Sequence, residues 1–91
     1  MGKIVVRAST LCGALAIEGA EIYIDGNFFG HSGKNGYSKA AAIDGESCSV
    51  RVEADGYEKY FVDKVNLYKN ATVIWPAMLE GQTRSKNKEK A

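Results

Sequence analysis

The single histidine of the chain is the first residue with the chemistry for catalysis. His31 lies next to Ser32, and a serine nucleophile needs a histidine base that is itself oriented by a carboxylate. No serine in the sequence lies in the sharp Gly-x-Ser-x-Gly turn that presents such a nucleophile. We therefore predict no catalytic residue, assign His31 to a loop or strand end, and expect that the protein is not an enzyme.

Side chains that could bind zinc are few and far apart. Cys12 and Cys48 are separated by 36 positions, and His31 is the only other soft ligand. Because a structural zinc site needs about four such ligands, we predict no metal site. In a reducing compartment the two thiols are expected to be free and buried. A disulfide between Cys12 and Cys48 is the alternative.

A calcium loop is a second possibility, suggested by the run Asp25-Gly26-Asn27. Calcium loops need further oxygen ligands at fixed later positions, and those positions hold Phe29 and Gly36 here. The run is therefore predicted to be a β-turn, and no cofactor is expected.

Charge is unevenly distributed along the chain, although the formal net charge is only +1. Residues 83–91 hold four basic residues and one acidic residue, a balance of +3, and the remainder holds 8 basic and 10 acidic residues, a balance of −2. A nucleic-acid reader usually has a basic face on its folded body. The sequence therefore argues against nucleic-acid binding, although the basic end could add non-specific attraction to phosphate.

Apolar segments are short throughout the chain. The apolar run before Arg7 has three residues, Ile4–Val6, which is fewer than the seven or so of a signal peptide. Residues 11–17 fall short of the roughly 20 that span a bilayer. We expect no membrane partner and a cytoplasmic location for the chain as written, or the surface of a virion or cell if it joins an assembly.

Turn dipeptides divide the chain into short alternating segments. Asp25-Gly26, Asn35-Gly36, Asp44-Gly45 and Asp55-Gly56 follow one another at spacings of 10, 9 and 11 residues. Such regular turns between alternating segments are typical of β-sandwiches and barrels. The predicted strands are Lys3–Ser9, Glu21–Asp25, Asn27–His31, Tyr37–Ile43, Ser47–Ala54, Glu58–Leu67 and Ala71–Leu79.

The phase of the apolar residues predicts which side chains face inward. In Ser47–Ala54 the inward set is Cys48, Val50, Val52 and Ala54. The phase changes within Glu58–Leu67, which predicts a bulge or bend near Asp63-Lys64. The alternative is that two strands meet there.

The last predicted strand contains two informative residues. Trp75 is in phase with the inward side chains and is predicted to be a large core anchor. Pro76 has no N–H donor, which indicates that this strand has an unpaired side or ends nearby. Together the segments predict an all-β fold, an antiparallel sandwich of about seven strands over residues 1–80. Residues 81–91 are predicted to be a disordered basic tail.

Aromatic residues are the candidates for binding. Phe28 and Phe29 are consecutive, so one of them must face outward from a strand. With Tyr23 they could form an exposed aromatic patch that contacts a protein or a glycan. The alternative is that tyrosines and phenylalanines are scattered and half-buried over a thin sandwich.

The order of these features resembles that of PEGA and carboxypeptidase regulatory-like domains. Ile17-Glu18-Gly19-Ala20 followed by a strand ending in Asp25-Gly26 is similar to the opening of PEGA domains, in which the first residue is proline. Gly33–Tyr37 resembles the next turn of carboxypeptidase regulatory-like domains. The strand that ends in the corner Gly56-Tyr57 is similar in both families.

The resemblance covers residues 2–80 and implies a transthyretin-like, prealbumin-like sandwich. It also implies an accessory module without catalytic residues. We therefore expect a non-enzymatic, structural or protein-binding module that contacts its partner through an edge strand or an aromatic face. It could be a subunit of a virion or cell-surface assembly, a homo-oligomer, or a small inhibitor of a host complex. A glycan-binding accessory module is the alternative.

Overall fold

The computed structural model describes residues 2–11 and 15–81. This part of the chain forms seven β-strands, and no helix within it is long and apolar enough to cross a membrane. The strands are β1 (Gly2–Thr10), β2 (Glu21–Ile24), β3 (Asn27–His31), β4 (Ala41–Ile43), β5 (Ser47–Glu53), β6 (Tyr60–Asn66) and β7 (Thr72–Leu79).

The strands form two sheets that pack face to face. One sheet has three strands in the order β4-β1-β7, and the other has four in the order β3-β2-β5-β6. Their inner faces supply a core of small and aliphatic side chains, in which Ile4, Val6, Ile22, Val50 and Val52 are fully buried. Burial of these side chains drives the two layers together. The predicted all-β sandwich is confirmed.

β5 shows how alternation in the sequence sets the inner face. Cys48, Val50 and Val52 are buried, while the side chains between them are half-exposed. Successive side chains on a strand point to opposite faces, so the inward set predicted from the sequence is confirmed. Ala54, just beyond the strand, packs half-buried against the same core.

A bulge on β6 resolves the change of phase in that strand. Cys48 pairs with Val65 and Val50 pairs with Val62. Thus one residue of β5, Ser49, faces two residues of β6, Asp63 and Lys64. The extra residue lets the side chains on both sides of the bulge point inward, and the predicted bulge is confirmed.

β1 and β7 pair in parallel, whereas the other pairs are antiparallel. The eight-residue ladder runs from Lys3–Thr72 to Thr10–Leu79. This pair departs from the expected all-antiparallel pattern. A tight turn forces antiparallel pairing only between consecutive strands, and these two are the first and last of the fold, so their direction is set by the sandwich as a whole.

Trp75 lies at the open side between the sheets and not at the centre of the core. It is half-buried, packs against the core, and donates a hydrogen bond from Nε1 to the hydroxyl of Tyr60 at 2.9 Å. A buried indole needs a partner for its N–H, and the thin interior is already filled by smaller side chains. Pro76 follows on β7, which pairs only with β1 among the described strands, so the predicted unpaired side is confirmed.

Some predictions fall partly outside the described residues. Cys48 is a free, buried thiol, and burial, with a smaller effect from the carboxylate of Asp25, raises its pKa. Cys12, its partner in the alternative disulfide, lies outside the described residues, as does the predicted basic tail apart from Gly81. Gly81 itself forms an isolated bridge with Tyr57.

Candidate binding surface

Four side chains line up across the outer face of the four-stranded sheet. Tyr23 on β2 lies opposite Phe28 on β3 and opposite Arg51 on β5, and Arg51 lies opposite Phe61 on β6. We call this set the aromatic–arginine row. It crosses every strand of the sheet, so the hydrogen-bonded ladders hold the four side chains in register.

Local sequence explains why these side chains face outward. On β2, Ile22 and Ile24 are buried, so Tyr23 between them points to the outer face. β3 contains an irregularity, because Ile22 pairs with Gly30 while Tyr23 pairs with Phe28, and Phe29 is the extra residue. This bulge places Phe28 on the same face as Tyr23.

The rings and the guanidinium of the row are in contact with each other. The ring centroids of Tyr23 and Phe28 are 5.5 Å apart with planes at 66°, an edge-to-face arrangement. The Arg51 Cζ lies 4.1 Å from the centroid of the Tyr23 ring, which makes a cation–π contact. Phe28 also packs edge-to-face with the ring of His31, and the two ring centroids are 5.3 Å apart. These contacts order the surface before any partner arrives.

Two glutamates flank the row and hold its polar atoms. The Tyr23 hydroxyl donates to Glu21 Oε1 at 3.1 Å, and Arg51 Nε lies 3.0 Å from Glu53 Oε2. The N–H of Arg51 Nε does not point at this carboxylate oxygen, so the contact with Glu53 is a charge–charge interaction without a hydrogen bond. Nε has no hydrogen-bond partner among the described residues. Glu21 and Glu53 are direct cross-strand neighbours, and Tyr23 and Arg51 each have one of these carboxylates beside them.

The same arrangement perturbs the phenol of Tyr23. The hydrogen bond to Glu21 is the main cause that raises the pKa of Tyr23, and desolvation and the charges of Glu21 and Glu53 add to it. Arg51 acts in the opposite direction. Tyr23 therefore keeps its proton, and its hydrogen bond to Glu21, to a more alkaline pH than an ordinary tyrosine.

Large areas of ring remain open to solvent at both ends of the row. Phe28 is 54% exposed and Phe61 is 59% exposed, whereas Tyr23 and Arg51 between them are half-exposed. The row thus presents two apolar rings on either side of an ordered tyrosine–arginine pair.

The structure brings together two of the three predicted binding residues. Tyr23 and Phe28 are in contact, but Phe29 belongs to the other side of β3. It lines a cavity of about 240 Å³ together with Ala41 and Ile43 of β4, and Phe28 borders the same cavity. Phe29, which is 37% exposed, therefore lies on the side of β3 that faces β4 and is not part of the row.

Sequence reasoning missed Arg51 and Phe61. The signal for Arg51 was its outward position on β5, but only the pairing register shows that it lies beside Tyr23. Phe61 has the outward phase only because the bulge at Asp63 and Lys64 lies after it. Both assignments depend on contacts between segments that are distant in sequence.

Ser32, the neighbour of His31, has a structural role. Its hydroxyl accepts a hydrogen bond from Ala20 N at 2.9 Å and donates one to Ile17 O at 2.6 Å. The Gly19 N–H donates to the Ser32 carbonyl at 2.8 Å. The segment Ile17–Ala20 is therefore held against the chain that follows β3. Within residues 2–11 and 15–81, no three His, Cys, Asp or Glu side chains converge as a metal site.

Comparison with known proteins identifies the family. A search of curated proteins returns no significant match. The family model of the PEGA domain matches residues 16–81, which begin just before the segment held by Ser32 and end at the bridge with Tyr57. The similarity to carboxypeptidase regulatory-like and transthyretin-like domains stays a prediction. Because the match spans most of the chain and includes six of the seven described strands, β2 to β7, the protein belongs to the PEGA domain family.

Proposed function

We propose that the protein is a non-enzymatic module that binds another protein through the aromatic–arginine row. The chain is a β-rich PEGA domain, and domains of one fold differ in function through the sites they carry. The observation that supports this function best is the register of Phe28, Tyr23, Arg51 and Phe61 across four strands, with exposed rings at both ends.

Side-chain chemistry supports a protein partner. Aromatic residues and arginine are enriched in protein interfaces and provide most of their strongest contacts. The row offers both types on a sheet whose ladders already fix their positions, so little conformational entropy is lost on binding. A partner that covers Phe28 and Phe61 buries two rings that now face water.

Charge around the row disfavours nucleic acid as the partner. Glu21 lies beside Tyr23 and Glu53 lies beside Arg51, and Asp63 lies on the neighbouring edge strand. These carboxylates repel phosphate groups, and binding of a nucleic acid depends on its phosphates.

A glycan partner remains the second candidate for the same surface. Sugars stack on open faces of aromatic rings. One face of the Tyr23 ring is covered by the guanidinium of Arg51, and the Tyr23 ring also packs edge-to-face with Phe28. The protein-binding function is therefore the better supported of the two.

We expect the module to need no cofactor and to act within an assembly, such as that of a virion or cell surface, or as an inhibitor of a host complex.

Site-specific photocrosslinking in the cells that produce the protein tests the proposal. A photoreactive phenylalanine replaces Phe61, and in the matched control it replaces Tyr68, which is 63% exposed in the turn before β7. The expected result is a discrete adduct with one other protein from position 61 only. Adding Arg51→Ala should reduce its yield, because the guanidinium contributes to the contact.

Equal labelling from positions 61 and 68 would show that the row has no selective partner. Binding on a glycan array that is lost with Phe61→Ala, without a protein adduct, would replace the proposal with the glycan-binding function.

A further inference from the structure

Three of the four edge strands carry a feature that hinders pairing with another strand. β4 has only three residues, β7 contains Pro76, and β6 bears the bulge at Asp63 and Lys64. Short strands, prolines, charges and bulges are the means by which proteins protect exposed sheet edges. β3 also has a bulge, at Phe29, but it is longer than β4 and Asn27–His31 contains no proline, lysine, arginine or acidic residue.

The backbone of Phe28 points toward the free edge of β3. The loop Asp25-Gly26 has two residues with φ of 52° and 83°, as in a type I′ hairpin turn. The residues that flank such a loop, Ile24 and Asn27, form the hydrogen-bonded pair of the hairpin. Hydrogen-bonded and non-hydrogen-bonded pairs alternate along an antiparallel ladder, so the N–H and C=O of the next residue, Phe28, face away from β2.

The backbone of His31 points to the same free edge. Ser32 N donates to Ala20 O at 2.9 Å, and Ser32 O accepts from Gly19 N at 2.8 Å, so Ser32 faces the β2 side. Neighbouring residues of a strand direct their backbone groups to opposite edges, and His31 therefore faces outward. No strand within the described residues pairs with β3 on this edge.

The spacing between Phe28 and His31 along β3 determines which kind of strand can pair with this edge. The bulge on β3 leaves two residues, Phe29 and Gly30, between Phe28 and His31. A regular strand presents pairing groups at every second residue, so it cannot match both positions. A second copy of the chain running antiparallel has the same interval, which sets Phe28 of each copy opposite His31 of the other.

Side chains and charge also fit a second copy. Phe28 and His31 lie on one face of β3, where their rings pack edge-to-face with centroids 5.3 Å apart. Antiparallel pairing brings the two pairs together as a cluster of four rings. β3 carries no Asp, Glu, Lys or Arg, so two copies approach at this edge without like charges opposite each other.

We propose that two copies of the protein pair antiparallel through β3, with Phe28 of one opposite His31 of the other. The two four-stranded sheets then form one eight-stranded sheet in the order β6-β5-β2-β3-β3-β2-β5-β6. This interface goes beyond the proposed function, because it needs no foreign partner. It also places the two aromatic–arginine rows on the same face of one sheet.

Sedimentation equilibrium of the full chain over about two decades of concentration tests the interface. Phe28→Lys places a charge at the pairing edge, and Phe61→Lys is the matched control, since the two rings are 54% and 59% exposed on opposite edge strands of one sheet. We expect a concentration-dependent dimer whose Kd rises at least about tenfold with Phe28→Lys and less than about twofold with Phe61→Lys. Circular dichroism verifies that both variants fold.

A disulfide test reads the register directly. In a background of Cys12→Ser and Cys48→Ala, an equal mixture of Phe28→Cys and His31→Cys chains should crosslink more than either variant alone, because residues opposite each other have the Cα spacing of a disulfide. A monomer at every concentration, an equal effect of both lysine variants, or no excess crosslinking in the mixture would overturn the interface. Because Phe61 lies outside it, photocrosslinking from position 61 tests the proposed function independently.

Discussion

The hydroxyl of Ser32 joins two segments of chain by hydrogen bonds to Ala20 N and Ile17 O. The side chain is 4% exposed, so water cannot replace it. Ser32→Ala should lower the free energy of unfolding by about 1–3 kcal/mol, because it leaves a buried donor and a buried acceptor without partners. Ser47→Ala, at a half-exposed position on β5, should change it by less than about 0.5 kcal/mol. Urea denaturation measures both, and equal effects would contradict the role of Ser32.

The pKa of Tyr23 provides a second residue-scale prediction. Glu21→Gln keeps a hydrogen-bond acceptor and removes the charge, so the pKa of Tyr23 should fall toward the ordinary value of 10.0. The raised pKa means that the folded protein holds this proton more tightly than the unfolded chain. Its contribution to stability is therefore complete below pH 10 and is lost as the pH rises through the folded value.

Tyrosinate absorbance during an alkaline titration measures this change, with Tyr23→Phe as the reference that isolates the Tyr23 signal. An unchanged titration in Glu21→Gln would show that Glu21 is not the source of the shift.

At the scale of elements, glycines in two turns allow the cost of a left-handed backbone to be measured apart from the cost of a steric clash. Gly36 and Gly56 have the same φ of 85°. A Cβ at Gly36 would overlap the carbonyl oxygen of Ala8, whereas a Cβ at Gly56 would have nothing within 4 Å. Gly56→Ala should cost about 1–2 kcal/mol for the left-handed backbone alone. Gly36→Ala should cost clearly more, because its turn is held against β1 by a hydrogen bond from Ala8 N.

Thermal denaturation of the two variants gives the comparison. Equal losses of stability would mean that the turn containing Gly36 can move away from β1.

Within single strands, the sequence pattern predicted which side chains face inward, but it did not predict which strands pair. The alternation in β5 predicted its inward residues, because one strand buried on one face repeats every two residues. The change of phase in β6 predicted its bulge for the same reason. The bulge on β3 left no such sign, since Phe28 and Phe29 are both aromatic and either could face outward. It decides which of the two joins Tyr23.

For the whole molecule, the sandwich could be predicted but not the order of its strands. Turn spacing and alternation establish how many short strands there are, whereas neighbours such as β1 and β7 are selected by packing across the entire chain. Two of the four residues of the aromatic–arginine row were therefore predicted from the sequence. Tyr23 and Phe28 come from one hairpin, and Arg51 and Phe61 join them only through the pairing of β2 with β5 and of β5 with β6.

The parallel ladder of β1 and β7 has a mechanical consequence. Both strands run in one direction from Lys3–Thr72 to Thr10–Leu79, so a tension applied between Lys3 and Glu80 slides one strand along the other and loads all the bonds of the ladder together. A tension between Lys3 and Lys69, both at the starting end, peels the bonds apart one at a time. Single-molecule stretching through cysteines at these positions should therefore record a markedly higher rupture force in the first geometry, since forced unfolding follows the barrier along the pulled direction.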